Sequence, residues 1–382
     1  MLQERRSKKV KSGSGVQKLL IKTGTTCLIV LIELLVALYL LNYSGILNPW
    51  QLPVKHIAVF LGGGGIACLL IGWGLGIRQK KWLFQVVLIA FVGINAIAYF
   101  GAYTSTHFSS PGTFSVGFPR PTNSQVPTDI GLEYVTHRIP IASTEWLETW
   151  FIPAQRSLSK GTVVLFPGNG GSKGNQLLAP AKVFNQLNYD TLLVDFRGVG
   201  GSSGNTTTIG FREGKDVALV VNQAQQLNLK PPIVLYGVSM GTAAILKAIA
   251  QEKIEPDAII LELPFTRLLN AVKSRWRASN FPSFPTAELL VFWGSIQHGF
   301  NGFAHNPVTY AKQVNCPTLI LQGKQDQWIN MTEINKLLQN FQGAKQLVVF
   351  PTAGHELLVT VDQEHWKQSI EQFLNGLLSG GF

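Results

Sequence analysis

The apolar positions fall into two textures. Three long unbroken stretches come first, roughly Thr23–Leu41, Val54–Ile77 and Trp82–Tyr103. Each reaches the length of roughly 20 residues that lets a helix cross a bilayer. Glu33 is the one charged residue well inside them, and the second holds the run Gly62-Gly63-Gly64-Gly65. Small residues of this kind let helices pack closely in lipid. The first stretch is long, lacks a short apolar core with a cleavage site, and is followed by two more, so a retained helix is expected rather than a signal peptide. Residues 104–131 are rich in Ser, Thr, Pro and Gly and read as a linker.

From about residue 132 short apolar runs alternate with helical patterns. Strands are expected at Glu133–Ile139, Trp146–Ile152, Thr162–Phe166, Thr191–Asp195, Ile233–Tyr236, Ala258–Leu261, Thr318–Leu321 and Gln346–Phe350. Helices are expected at about 175–188, 212–227, 240–251, 332–341 and 363–378. A strand pair followed by strand–helix alternation predicts a mixed, mostly parallel sheet with helices on both faces. Such sheets bind ligands beyond the carboxyl ends of their strands, so residues following strands carry the interest.

Composition supports this division. Only 14% of residues are charged, against about 25% in ordinary soluble domains. The net charge of +11 is unevenly placed: residues 1–103 hold 11 of the 32 Lys and Arg but only 2 of the 21 Asp and Glu. The basic excess flanks apolar stretches, where it is a topology signal and not a nucleic-acid footprint. Arg5, Arg6, Lys8, Lys9, Lys11, Lys18 and Lys22 precede the first stretch, and Arg78, Lys80 and Lys81 follow the second. Three crossings from a cytoplasmic N-terminus would set the remainder on the non-cytoplasmic face of a plasma or inner membrane. Three cysteines, Cys27, Cys68 and Cys316, show neither a disulfide framework nor metal-ligand spacing.

The chemistry concentrates after the strands. Ile233–Tyr236 leads into Gly237-Val238-Ser239-Met240-Gly241 and then an apolar helical stretch. This is G-x-S-x-G between a strand and a helix, a tight turn that lifts a serine hydroxyl above the sheet. A serine needs a base, and the expected chain order is serine, acid, histidine. His355 follows the last expected strand, within Ala353-Gly354-His355-Glu356. Asp326 follows Thr318–Leu321 and would hold the imidazole tautomer, with Glu262 in reserve. Asp195 lies too early in the chain and is expected to shape its own loop. His137, His298 and His305 are poorer candidates, one in an early strand and two in a long insertion. The oxyanion donors are expected to be the backbone N–H groups of Met240 and of Asn169, the latter in Pro167-Gly168-Asn169-Gly170-Gly171.

Taken together, residues 132–380 resemble the α/β-hydrolase superfamily, and especially the membrane-linked branch similar to Bem46 and the ABHD lipid hydrolases. The pieces that carry the resemblance are Phe166-Pro167-Gly168-Asn169-Gly170-Gly171, Asp195-Phe196-Arg197-Gly198-Val199-Gly200, the turn at Ser239, Glu262-Leu263-Pro264-Phe265-Thr266, Asp326 and Ala353-Gly354-His355-Glu356. The resemblance implies an α/β-hydrolase fold and a triad of Ser239, Asp326 and His355; the three transmembrane helices expected before it rest on the apolar stretches and are not covered by the resemblance. Pro167 stands where the family commonly has a histidine. The expected organisation is a basic tail over 1–22, a membrane region over 23–103, a linker over 104–131 and a hydrolase domain over 132–382.

Residues 268–305 are too long for a simple connection and are expected to form a lid. The insertion holds Trp276, Phe281, Phe284, Phe292, Trp293, Phe300 and Phe303, a composition suited to acyl chains. Lys273, Arg275 and Arg277 offer contacts to an anionic head group, or simply a solvated basic face. The expected activity is hydrolysis of carboxylic esters, thioesters or lipids through an acyl-enzyme, with lipid or acyl ester as substrate, the membrane as partner, and no cofactor, metal or nucleic acid. The alternatives are a serine peptidase of the same fold and a catalytically silent membrane binding protein.

Overall fold

The computed structural model describes residues 81–109, 117–156 and 158–381, with backbone only for 81–89. The basic tail and the first two apolar stretches lie outside the described residues. The chain divides into two compact units, one ending at Ala98 and one beginning at Tyr99.

The second unit is built on an eight-stranded sheet. Its strands are β3 (Val135–Ala142), β4 (Glu145–Ile152), β5 (Thr162–Phe166), β6 (Asp190–Val194), β7 (Ile233–Val238), β8 (Ala258–Glu262), β9 (Thr318–Gly323) and β10 (Lys345–Phe350). A two-residue parallel pair, β1 (Phe108–Ser109) and β2 (Phe118–Pro119), precedes them. The spatial order is β10-β9-β8-β7-β5-β6-β4-β3. The β3–β4 and β4–β6 pairs are antiparallel, and the other pairs are parallel. All eight expected strands are present, shifted by a few residues at most. The central ones, β5, β6, β8 and β9, are buried along their whole length. That follows from helices on both faces, which leave no solvated side to demand polar alternation.

The covering helices are α2 (Leu178–Gln186), α3 (Glu213–Asn222), α4 (Met240–Lys247), α7 (Met331–Asn340) and α8 (Gln363–Leu378). Two apolar clusters result, one on each face. One gathers Phe166, Ile245 and Phe341, and the other gathers Phe184, Tyr236 and Trp366. The helix after Ser239 is regular only to Lys247 and continues as one π-helical turn, Ala248–Glu252.

The insertion forms two helices, α5 (Leu268–Ala278) and α6 (Thr286–His298). Its ends meet, with Leu268 N–H donating to His305 O at 3.0 Å. Lys273 Nζ lies 2.6 Å from Glu288 Oε1 and joins the two helices.

The third expected span is a helix, α1 (Lys81–Thr106). Among the described residues, however, no helix is long and apolar enough to cross a membrane. From Tyr99 onward α1 is engaged with protein. Tyr99 meets Trp293 edge-on with centroids 5.6 Å apart, and Gln297 Nε2 donates to Tyr99 O at 2.9 Å. The expected linker is likewise occupied at its described end. Arg120 donates to the carbonyls of Gly200 and Gly204, and Asn123 receives the N–H of Gly174 at 2.9 Å.

One glycine sets how closely α4 approaches the sheet. A Cβ on Gly241 would stand 2.6 Å from Phe166 O and 2.9 Å from Pro167 O, both backbone atoms. We expect Gly241→Ala to destabilise the fold by about 1–3 kcal/mol through overpacking. Urea unfolding of the solubilised protein measures it, and an unchanged midpoint would mean the gap is not close.

Candidate active site

β7 ends at Val238 and α4 begins at Met240, leaving Ser239 alone to make the turn. Its backbone takes φ 47° and ψ −103°, a conformation that costs a non-glycine residue roughly 1–3 kcal/mol. Neighbouring groups hold it there. Ser239 N–H donates to Glu262 O at 2.8 Å, and Thr242 Oγ1 donates to Ser239 O at 2.6 Å.

Two further loops converge on the hydroxyl. His355 Nε2 lies 3.1 Å from Ser239 Oγ, and His355 Nδ1 lies 2.7 Å from Asp326 Oδ2. A carboxylate accepts, so the network assigns the proton to Nδ1 and leaves Nε2 to accept from the serine. Asp326 Oδ1 receives Trp328 N–H at 2.8 Å and Ile329 N–H at 3.1 Å, while Gln322 Nε2 donates to Oδ2 at 3.0 Å. Burial pushes the Asp326 pKa up, but the His355 contact and these donors outweigh it and hold it below the usual carboxylate value. The acid and base loops are tied to each other by Lys324 N–H to Phe350 O at 2.9 Å and Gln325 N–H to Ala353 O at 2.8 Å.

Ser239, His355 and Asp326, chosen from sequence alone, thus meet in one hydrogen-bonded chain. Glu262, the reserve acid, has another place. It is fully buried and accepts from Tyr236 Oη, Trp366 Nε1 and Leu358 N–H, each at 2.8 Å. Burial raises its pKa, and the three donors oppose that.

Met240 N–H opens α4 directly after the serine. Asn169 lies exposed in the turn after β5, which Gly171 N–H to Gly168 O closes at 3.1 Å. The Gly168 N–H is already taken by Gln176 Oε1 at 2.6 Å. Asp195 shapes the neighbouring loop, accepting from Lys173 N–H at 2.8 Å and Gly201 N–H at 3.0 Å and pairing with the buried Lys173 ammonium. Two contributors escaped sequence reasoning. Gln322 is the last-but-one residue of β9 and reads as core there. Trp328, whose ring centroid lies 4.5 Å from that of His355, gave no signal beyond being aromatic.

The fold and this site define an α/β-hydrolase. Among solved structures, the Pyrococcus furiosus esterase Pf2001 superposes with a TM-score of 0.56 at 21% identity, covering 67% of this chain and 96% of that one. Est1E from Butyrivibrio proteoclasticus superposes with a TM-score of 0.51 at 16% identity, over 64% and 98%. The family described as "Serine aminopeptidase, S33" matches residues 157–291, and the "Dienelactone hydrolase family" matches 287–375. The chain is related to the Bem46/ABHD branch of the α/β-hydrolases. The mouse lysophosphatidylserine lipase ABHD12 is 26% identical over 193 residues, 47% of this chain and 44% of that protein. Protein bem46 of Schizosaccharomyces pombe is 25% identical over 158 residues, 41% and 53%. Bacillus subtilis YqkD, an uncharacterized protein, is 26% identical over 198 residues, 51% and 65%. The matched stretch therefore spans about half to two thirds of these curated relatives.

The two histidines of the insertion have other partners. His298 Nδ1 accepts from Arg212 at 2.8 Å. His305 is buried, with Nε2 donating to Ile209 O at 3.0 Å and Nδ1 3.2 Å from Tyr310 Oη. Burial lowers its pKa to about 4, against the smaller upward pull of the Ile209 carbonyl and Glu213 and with Lys247 adding to the drop. A depressed base favours the neutral folded form. The stability it contributes is present above the unfolded value near pH 6.5 and is lost as pH falls through 4. We expect a loss of about 3 kcal/mol across that window, absent in His305→Gln. Urea unfolding at pH 7 and pH 4.5 checks this, and equal losses in both proteins would rule it out.

Proposed function

We propose that this protein is a membrane-anchored serine hydrolase that cleaves carboxylic esters, thioesters or lipids through an acyl-enzyme on Ser239. The observation that carries the proposal is the continuous chain from Ser239 Oγ through His355 to Asp326, at 3.1 and 2.7 Å. His355 Nε2 takes the hydroxyl proton as Oγ attacks the acyl carbon. Asp326 stabilises the imidazolium without being protonated itself. The N–H groups of Met240 and Asn169 receive the developing oxyanion. His355 then returns the proton to the departing alcohol or thiol, and water repeats the sequence to free the acid and restore the serine. The esterase and lipase names among the relatives support ester bonds. The match to a serine aminopeptidase family supports amide cleavage as the second reading, and a matched ester and anilide separate the two.

Labelling of the solubilised protein with a fluorophosphonate probe is the direct test. Wild type should label and Ser239→Ala should not; folded wild type that stays unlabelled would sink the proposal. Asp326→Asn should keep the fold and lower kcat by about 10³–10⁴ through the wrong imidazole tautomer.

Anchoring rests on the apolar stretches 23–41 and 54–77 and their basic flanks. The protein should stay with membranes through alkaline carbonate extraction, and its release there would refute the anchor. Placement of the hydrolase domain on the non-cytoplasmic face would require α1 as a third crossing, which its length and apolarity do not support.

A further inference from the structure

Helix α5 of the lid carries three cations, Lys273, Arg275 and Arg277. The structure gives them different surroundings. Lys273 is paired with Glu288 at 2.6 Å and holds the lid helices together. Arg277 is exposed on the last turn. Arg275 faces the triad. Its guanidinium carbon sits 4.5 Å over the Trp328 ring, and that ring lies 4.5 Å from the His355 imidazole. The contacts from Arg275 through Trp328 to His355 therefore run from the insertion to the imidazole.

The guanidinium is fixed and yet has donors to spare. Nη1 donates to Ala271 O at 2.8 Å, one turn back on α5, and Trp328 supports the plane. Arginine carries five N–H donors, and Arg275 makes no ion pair among the described residues. The residue is accessible to water. Partial loss of solvation lowers its pKa, while Asp326 raises it, which places the cation within the field of Asp326. A planar, always-charged fork of this kind matches phosphate and carboxylate oxygens two at a time.

We infer that Arg275 is a specificity-determining residue, one that reads a negative charge carried by the substrate beside its scissile ester. The inference rests on the serine-hydrolase reading of the same site. A substrate entering the cleft displaces water from the guanidinium, so an anion at that position gains a strengthened pair and a neutral ester gains none. Phosphate and carboxylate share this chemistry.

The test compares three esters of one acyl chain: monooleoylglycerol, the corresponding lysophosphatidic acid, and O-oleoyl lactate. Each is presented to wild type, Arg275→Gln and Arg275→Lys in the same detergent. The quantity read is the ratio of kcat/KM for each anionic ester to that for the neutral one. Arg275→Gln should lower the ratio about tenfold or more, chiefly through KM, as loss of one charge-assisted contact implies. Arg275→Lys should recover part of it by keeping the charge. The anion whose ratio falls further identifies the group that is read. A ratio within about twofold of wild type for both anions would overturn the inference and leave Arg275 as a packing partner of Trp328. Fluorophosphonate labelling of all three proteins runs alongside. Unlabelled wild type defeats the serine-hydrolase reading itself, whereas labelled wild type with an unmoved ratio defeats only the role of Arg275.

Discussion

The backbone turn at Ser239 is the constraint on which the site depends. A serine held at φ 47° is unfavourable by itself and persists only where its surroundings over-determine it. Here β7 enters the turn from the middle of the sheet, and α4 leaves it pressed against the end of β5. That approach is possible because Gly241 has no side chain between α4 and the Phe166 and Pro167 carbonyls. The bond from Ser239 N–H to Glu262 O pins the same turn from the other side. Parallel pairing of β5, β7, β8, β9 and β10 brings every strand's carboxyl end to one edge. Loops distant in sequence are thereby delivered to a single hydroxyl.

Glu262 illustrates how that delivery is stabilised. Its backbone carbonyl holds Ser239, and its side chain receives Leu358 N–H, just beyond the loop bearing His355. One residue thus ties the Ser239 turn to the His355 loop. Its carboxyl group is fully buried and forms no ion pair among the described residues, which is costly unless hydrogen bonds replace water. Tyr236, Trp366 and Leu358 supply three. Asp326 is treated differently. Its donors and its histidine favour the ionised form, which suits the role proposed for it of stabilising an imidazolium.

The loop after β5 rests on a second buried network. Lys173 is paired with Asp195 and lies 3.0 Å from Glu148, with its ammonium 4.4 Å over the Trp150 ring. Breaking one member of such a cluster leaves an uncompensated buried charge, typically costing several kcal/mol. Arg120 and Asn123 extend the network into a stretch whose Ser, Thr, Pro and Gly content reads as a linker. Their partners are backbone carbonyls and loop groups, which leave no apolar periodicity to betray them.

How far the sequence reached follows from which forces are local. Strand positions were legible because runs such as Thr162–Phe166 are apolar throughout and bounded by turn residues. Ser239 was legible because glycines at fixed offsets are a steric requirement of the turn itself. His355 and Asp326 followed from their places after successive strands. Chain order alone did not decide between Asp326 and Glu262, since both follow a strand; only the folding of two loops against each other put one carboxylate 2.7 Å from the imidazole and enclosed the other. Likewise Lys273, Arg275 and Arg277 are equivalent in sequence, spaced two apart on one helix. Helical geometry and the partners Glu288 and Trp328 separate them, because the direction of a long side chain is set by what it packs against and not by its own identity.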